Sequence, residues 1–453
     1  MEKNQQKPAF YFDVEIKRRD LLSRLTIAAL LAEKGYHVFI GDVSTFDSLN
    51  VIIDNATIVK KSARSKNINE FEDLISHGFK IVNMEEEGVL IGSLNEYIGV
   101  NMPSEVVKLP EKHFLWGSEQ KKHLTSLYPD LSEKFYNIGN PRLCLWSNRY
   151  YGYYDELSAK IKREFGEFVL ISSNFAVYTN KNFVKEMLET TGYLDKNPNL
   201  DAYESNVKVV EFLYKEFLKA AKKISLNGIK VIFRPHPSES ITKIKEDFKG
   251  YSNIKVDSSY DIAPWILASK AVIHNCCTSG LEAVFMKKNT IAYMPNNISL
   301  YELNDVNRIA KTVTNIDDLI KCIYTPSVFH SSKLNLNNYL TTNIVLNDIV
   351  SSLESVKTSS YFELSRLKIS NNRLILSNFL YVYSRKLRDF LVVNKTKKRE
   401  RRALREKFPI TSASELAGYL SCIYNYGLLK QPITCVPVGK NTFYIYRNNR
   451  DSD

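Results

Sequence analysis

Cysteine, glycine and proline are all scarce in this chain, and each scarcity excludes something. Six cysteines occur in 453 residues, Cys144, Cys276, Cys277, Cys322, Cys422 and Cys435, with no Cys-x-x-Cys pair and no histidine-flanked spacing of the kind that holds zinc. A disulfide framework and a structural metal are therefore not expected, and reduced thiols in a cytoplasmic protein are the simplest account. Gly 17 and Pro 14 leave little material for long disordered linkers. No uninterrupted apolar stretch approaches the roughly 18–20 residues of a membrane span; the longest, Leu21 to Leu31, is broken by Ser23, Arg24 and Thr26. The polar start, Met1 to Phe10, has no apolar segment or cleavage site and does not read as a secretory signal. Also lacking are an internal repeat, an Asp-x-Asp metal motif and any Ser-His-Asp or Cys-His spacing. Cys276 and Cys277 read as small packed residues, with a nucleophilic role as the alternative.

What is present is the balance of a soluble globular protein, 44% hydrophobic and 25% charged. The length suits two domains of roughly 150–200 residues with a tail. Net charge is +12, which attracts anions, and nucleic acid, anionic lipid, nucleotide-sugar and acidic glycan all compete for that description. The run Lys395 to Lys407 holds eight Lys or Arg against two Glu. No interleaved aromatics accompany it, so no nucleic-acid partner is expected. It reads either as a solvated charged helix or as a peripheral membrane contact beside a lipid-linked acceptor.

Ala9 to Ile16 is rich in aromatic and β-branched residues and reads as a strand. Asp20 then stands where it can cap a helix whose apolar face is Leu21, Leu25, Ala28, Ala29 and Ala32. Gly35 ends that helix, and Tyr36 to Ile40 follows as a second strand. Such an opening begins a parallel sheet. Further strands are expected at 51–53, 80–83 and 113–116, and helices at 69–77 and 118–127. The first domain closes near Gly139–Arg142, and the tyrosine-rich segment 148–155 serves as a connection. A second α/β unit starts at Phe168 to Ser172. A long amphipathic helix over 201–226 places Val207, Val210, Phe212, Leu213, Phe217 and Ala220 on one side. Gly228 stops it, and a strand at 229–233 follows. Next come a helix at 261–269, a strand at 271–274, a helix at 279–287 and a strand at 290–294. The expected fold is α/β, two doubly wound Rossmann-type domains facing a cleft (1–147 and 148–330). A mostly helical, basic extension over 331–453 ends in a strand near 442–446.

Two constellations carry chemistry. Arg234-Pro-His-Pro-Ser-Glu239 follows a strand, where ligands of open α/β sheets bind. Its prolines stiffen the loop, Arg234 offers a permanent charge with several donors, and His236 offers one hydrogen bond or a proton. The alternative is a rigid turn with a satisfied histidine. In His274-Asn-Cys-Cys-Thr-Ser-Gly-Leu-Glu-Ala283 a strand again turns into a helix. Thr278, Ser279 and Gly280 would stand at a helix N-terminus, which favours a phosphate. Glu282 can accept from ribose hydroxyls, or is an ordinary first-turn glutamate.

The two loops together resemble the nucleotide-binding half of GT-B glycosyltransferases, in particular those using CMP- or CDP-activated donors: sialyltransferases, capsule Kdo transferases and teichoic-acid glycerophosphotransferases. Asp13–Asp20, Glu85–Gly88, Trp116–Gln120, Gly139–Arg142 and Ser173–Phe175 resemble the bacterial surface carbohydrate biosynthesis family. The likeness spans residues 9–300 and leaves the chain beyond 330 uncovered. It implies donor-nucleotide contacts at Arg234, His236, Ser238, His274, Thr278, Ser279, Gly280 and Glu282. The chain departs from the family pattern at Glu85, where members often carry Asp, and at Leu143 and Cys144, where they often carry Phe-Asp.

Glycosyl transfer needs a group to take the acceptor proton, or a carboxylate nucleophile if configuration is retained. Glu86 and Glu87 follow a strand, and three adjacent carboxylates raise one another's pKa. Asp20 is the other catalytic candidate, or simply a helix cap. Arg18 and Arg19, beside Lys17, would hold a sugar carboxylate or acceptor phosphate, or are surface charge. The resemblance implies metal-independent chemistry with no cofactor, the nucleotide-activated sugar being a substrate. The expectation is thus a cytoplasmic glycosyltransferase, at the membrane's inner face if the basic run touches lipid, moving an acidic ulosonic sugar from CMP onto a glycan or lipid-linked acceptor. Its rivals are a CDP-glycerol-type polyol-phosphate transferase, a UDP-sugar epimerase and a non-enzymatic scaffold of polysaccharide assembly.

Overall fold

The structure is a computed structural model that describes residues 8–42, 56–86, 98, 101–146, 152–190, 200–298, 305–325, 341, 346–356, 408–439 and 441–447. The chain forms two compact units, one built up to Leu145 and again from Leu336 onward, the other from Trp146 to Asn335. The strands of the first are β1 (Ala9–Val14), β2 (His37–Asp42), β3 (Thr57–Lys60), β4 (Lys80–Met84), β5 (Lys112–Phe114) and β6 (Phe135–Tyr136). The second unit holds β7 (Phe168–Ser172), β8 (Lys230–Arg234), β9 (Ile254–Val256), β10 (Ala271–His274), β11 (Thr290–Tyr293) and β12 (Lys311–Val313). The hairpin β13 (Ile433–Gly439) and β14 (Thr442–Arg447) belongs to the first unit. The helices needed below are α1 (Lys17–Glu33), α2 (Gly152–Phe165), α3 (Leu200–Leu226), α4 (Ile262–Ala268), α5 (Thr278–Phe285), α6 (Leu346–Glu354) and α7 (Ala413–Asn425).

The first sheet runs β13-β14-β2-β1-β3-β4-β5-β6, parallel from β2 to β6 and closed on the β2 side by the antiparallel hairpin. Every residue of β1 is buried, as a parallel strand covered on both faces requires. Helix α1 begins at Lys17, three residues before the expected cap. Asp20 therefore lies inside the first turn, where its Oδ2 accepts the Ile16 N–H at 3.1 Å. That is the return half of a capping interaction, made from within the helix. Gly35, at φ 86°, ends the helix as expected.

The expected single apolar face of α1 is too narrow a description. Asp20, Leu21 and nearly everything from Ser23 to Ala32 are buried. One side lies on β1 and β2, and α6, α7 and the hairpin pack on the helix as well. The described residues past 341 thus return to the first unit as part of its sheet and helical layer, where the sequence suggested a separate helical extension. Two physical demands explain the return: β2 would otherwise be an open edge, and α1 would leave apolar surface uncovered. Tyr444 pairs with Phe39 and Ile445 with Val38 in the closing ladder. The basic run 395–407 and the expected strand at 51–53 lie outside the described residues.

The second sheet, β12-β11-β10-β7-β8-β9, is parallel throughout. Helix α3 covers it with Val210, Leu213, Tyr214, Phe217, Ala220, Ala221 and Ile224, against Val169, Ile171, Val231, Phe233 and Ile273. Val207 and Phe212, expected on the same side, are only half-buried. Gly228, at φ 79°, turns the chain into β8. Of the expected connection at 148–155, the described part already belongs to α2. Among the described residues no helix is long and apolar enough to cross a membrane.

Strand order locates a crevice in each unit. The first chain segment winds from β1 to β2 on one side, then resumes at β3 on the other; the second winds β7, β8, β9 and then resumes at β10 across β7. Ligands of doubly wound sheets bind at such reversals, beyond the carboxyl ends of the strands.

The hairpin contact can be tested at Gly41. A Cβ there would lie 2.7 Å from Thr442 Oγ1 and 3.0 Å from the Asn441 carbonyl oxygen. Gly41→Ala should push β14 away and lower stability by about 1–3 kcal/mol. A denaturation midpoint equal to that of the unsubstituted protein would show that the hairpin does not sit on β2.

Candidate functional site

In the first unit the reversal between β1 and β3 is filled by compensated charge. Arg24, on α1, is fully buried. Its Nε donates to Glu86 Oε1 at 3.2 Å, its two terminal nitrogens donate to the Val59 and Met84 carbonyls at 2.9 and 3.3 Å, and Asp13 lies 3.6 Å away. Lys60, closing β3, pairs with Asp13 at 2.8 Å and with Glu70 at 2.6 Å. Burial opposes charge on Lys60, but these two carboxylates outweigh it and hold its pKa above the ordinary lysine value. Asn140 Nδ2 donates to Glu86 Oε2 at 3.1 Å and to the Glu85 carbonyl at 2.9 Å, which also accepts the Trp116 indole N–H.

Glu86 is therefore held on both oxygens. Burial, and then the Asp20 carboxylate, raise its pKa above the usual carboxylate range, while Arg24, Arg142 and Arg19 pull it back. Asp20 is fully buried and bound by Arg19 Nε at 2.5 Å. The structure thus joins two expected catalytic residues, Glu86 and Asp20, electrostatically. Glu87 lies outside the described residues. The basic triplet is divided: Lys17 pairs with Glu415 at 2.7 Å, Arg19 with Asp20, and Arg18 is exposed.

In the second unit the corresponding crevice is built from hydroxyls, amides and backbone. Ser172, ending β7, accepts from the Ser279 hydroxyl at 2.7 Å. Ser279, Gly280 and Glu282 are buried in α5, while Thr278 at its first position is exposed. The turn before α5 is fixed from below. Cys276 adopts φ 50°, and Asn307 holds it there, accepting its N–H at 2.9 Å and donating to its Sγ at 3.1 Å. Asn275 Nδ2 donates to the Tyr293 carbonyl at 2.8 Å. Cys276 is buried and Cys277 half-buried. The result is a helix start at the switch point, where the Gly280 N–H turns back to the Cys277 carbonyl at 2.9 Å and the N–H groups of Thr278 and Ser279 precede the first helical acceptor.

His274 is fully buried, and neither ring nitrogen has a hydrogen-bond partner among the described residues. Its ring lies against the first turn of α5, where a Cβ on Gly280 would meet it at 2.4 Å. Glycine at 280 is thus a steric necessity. Burial pushes the His274 pKa down to about 4, so the imidazole is neutral.

The Arg234–Glu239 loop lies beyond β8. His236 is exposed, and its Nδ1 accepts the Ser238 N–H at 3.2 Å. Asn180 Nδ2 binds the Ser238 carbonyl at 3.0 Å. Arg234 donates to the Ser259 and Tyr260 carbonyls at 2.8 and 2.9 Å, so part of its fork is committed to the loop before α4. All eight expected nucleotide residues thus lie at or just beyond the carboxyl ends of β8 and β10 in one unit. His274, Ser279, Gly280 and Glu282 are buried, while His236 and Thr278 are exposed and Arg234 and Ser238 half-buried.

Comparison with known proteins adds shape only. No family model and no curated protein matches the chain. Among solved structures, the UDP-GlcNAc 2-epimerase of Methanocaldococcus jannaschii with UDP-GlcNAc and UDP is similar over 77% of this chain and 99% of its own, at 12% identity and TM-score 0.45. The wall teichoic acid polymerase TagF with CDPG is similar over 77% of this chain and 88% of its own, at 11% identity and TM-score 0.47. The UDP-N-acetylglucosamine 2-epimerase of Rickettsia bellii covers 78% of this chain and 97% of its own, at 10% identity and TM-score 0.46. Likeness at this level carries no argument about activity, which rests on the geometry above.

Sequence reasoning passed over Arg24, Asp13, Lys60, Asn307 and Glu239. Arg24 had a signal: it falls between Leu21 and Ala28 on the apolar side of α1, where a solvated charge would not be placed.

The neutral His274 has a consequence for stability. Its folded pKa, about 4, lies below the ordinary 6.5, so under acid conditions the unfolded chain binds a proton the native one does not. The stability is present above about pH 6.5 and is lost as pH falls towards 4, by roughly 3 kcal/mol in all. His274→Gln should flatten the decline of the urea midpoint between pH 7 and pH 4.5. An undiminished decline in that variant would show that His274 is not the buried neutral group described.

Proposed function

We propose that the protein is a GT-B-type glycosyltransferase that moves a sugar from a nucleotide-activated donor onto a bacterial surface polysaccharide precursor. One observation carries this reading: at the switch point of the second unit, the start of α5 and the Arg234–Glu239 loop offer backbone N–H groups, hydroxyls, a guanidinium and an exposed imidazole. That donor set suits the phosphates of a nucleotide. The finer assignment, an acidic ulosonic sugar carried by CMP, draws on the sequence resemblance, with Arg18, exposed beyond β1, as the candidate contact for a sugar carboxylate. The acceptor is a glycan or a lipid-linked glycan, and the basic run 395–407 would bring the enzyme to the membrane that carries it. No cofactor and no metal is required in this scheme.

In the transfer, a carboxylate takes the proton of an acceptor hydroxyl as that oxygen attacks the anomeric carbon and the nucleotide phosphate leaves. We assign the proton to the Asp20–Glu86 pair. Burial, and then the neighbouring Asp20 carboxylate, raise the proton affinity of Glu86 above that of a solvated acid, which suits it to accept a proton.

A thermal-shift and calorimetric screen against CMP, CDP, UDP and GDP tests the reading. A ligand at one hundred times its Kd stabilises the native state by about 2.7 kcal/mol. Selective stabilisation by CMP supports the ulosonic donor; CDP favours polyol-phosphate transfer, and UDP a hexose transferase or epimerase. Absence of any response sinks the nucleotide site and leaves the scaffold role. Arg234→Ala and His236→Ala should each weaken binding by about ten- to a hundredfold. Glu86→Gln, confirmed as folded by circular dichroism, should keep nucleotide affinity and lower the transfer rate by about 10²–10⁴-fold. Full transfer activity in that variant would remove Glu86 from the chemistry.

A further inference from the structure

Glu239 closes the Arg234–Glu239 loop, and its side chain is buried, 5% exposed. Its Oε1 accepts the Ser173 hydroxyl at 2.7 Å and the Phe175 N–H at 3.2 Å. Its Oε2 accepts the His236 N–H at 2.6 Å. The first two donors belong to the segment that leaves β7, the third to the loop that leaves β8. One carboxylate therefore joins loops at the ends of two neighbouring strands, and the Ser173 N–H reinforces the joint by donating to the Arg234 carbonyl at 3.0 Å. His236, an exposed member of the expected phosphate site, has its backbone set directly by this carboxylate.

We propose that Glu239 is a positioning residue that locks the Ser173–Phe175 and Arg234–Glu239 loops into one relative placement, so that His236 meets a donor phosphate without reorganisation. This rests on the reading of these loops as a nucleotide site. Donor and acceptor count favours a carboxylate at this position. Two of the three donors are backbone N–H groups, which cannot reverse their role, so the clamp needs an acceptor at both oxygens. A carboxylate provides that; a carboxamide must turn an NH2 group towards one of the N–H donors. The clamp also works on a buried group, so each bond is made in a low dielectric and its loss leaves a buried donor unpaired, at about 1–3 kcal/mol.

The same geometry has a pH signature. Burial pushes Glu239 up to about 7, against the opposing pull of its three donors. The titratable groups set around it are His236 on its own loop and Tyr214 on α3, whose hydroxyl donates to Asp247 at 2.6 Å and whose own pKa Glu239 helps to raise. A proton on Oε2 would compete with the His236 N–H for the same oxygen. The clamp is therefore complete above about pH 7 and loosens below it, and nucleotide affinity should rise with pH through that point. A phosphate ligand titrates nearby as well, but equally in every variant, so the comparison between variants isolates Glu239.

The test uses the full-length protein, Glu239→Gln and Ser173→Ala. Amide hydrogen exchange at Phe175 and His236 is measured without nucleotide, and calorimetry with CMP and with UDP is run from pH 5.5 to 8.5. In Glu239→Gln the proposal expects faster exchange at one or both amides, about tenfold weaker binding at pH 8, and loss of the rise in affinity through pH 7. Ser173→Ala should change exchange at Phe175 and weaken binding in the same direction by a smaller factor, and it decides the matter alone if Glu239→Gln does not fold. Unchanged exchange at both amides, or unchanged affinity and pH profile, would overturn the proposal. If neither nucleotide binds the unsubstituted protein, the nucleotide reading fails by itself, and the exchange data still decide whether Glu239 joins the loops.

Discussion

The first unit depends on a guanidinium taken entirely out of water. Burying the Arg24 charge costs several kcal/mol unless partners compensate it, and the compensation fixes where everything else must be. Glu86 has to follow β4 closely enough to reach α1, Asp13 has to end β1 facing the same point, and the carbonyls of Val59 and Met84 have to converge on it. Removing Glu86 would leave Arg24 largely uncompensated, a loss of about 3–5 kcal/mol. A single buried cation thus sets the register of α1 against the carboxyl ends of β1, β3 and β4. Asp20, Ser23 and Thr26 of α1 are buried along with Arg24, so this stretch of the helix has no solvent-facing side.

The second unit solves the same topological problem with different chemistry, and the difference bears on ligands. Its crevice is organised by Ser172, Ser173, Asn275, Asn307 and Glu239, groups that hold backbone in place without filling the space with opposite charges. Among the described residues of the first unit, the buried cations Arg24, Lys60 and Arg142 each have a carboxylate neighbour. In the second, Thr278 at the helix start and His236 in the loop beyond β8 are exposed. The two crevices thus differ in chemistry: compensated charge organises the first, hydroxyls, amides and backbone the second.

The contrast also explains what the sequence disclosed. Strands β7 and β10 and the helix over 118–127 were legible to the residue, because Phe168–Ser172 and Ala271–His274 are short apolar runs bounded by turn residues. The loops after β8 and β10 stood out because they hold unusual residue types in consecutive positions. Strand β3 was not, since its four residues end in a lysine whose burial depends on Asp13 and Glu70. Asp20 read as a helix cap because local spacing allows it. Only contacts with distant residues reveal that the helix begins earlier and that Asp20 faces Glu86. Glu239 was visible as a letter beside a motif, but its role lies in a bond to Ser173, on another strand. What escaped, in each case, is a polar residue whose meaning is set by a partner far along the chain.

The order of the two units along the chain has a further consequence. The second unit is continuous between Trp146 and Asn335, whereas the first is complete only when residues beyond Leu336 return to it. Tyr444 joins Phe39 and Ile445 joins Val38, contacts of very high sequence separation, and such contacts form late because the chain entropy they restrict is large. During synthesis, therefore, the second unit can fold as soon as it emerges, while the first waits with the β2 edge open and α1 uncovered. That waiting interval is where the protein is most exposed to misassociation. The hairpin that ends it is thus a stability element for the Arg24 network, even though it lies two strands away from that network in the sheet.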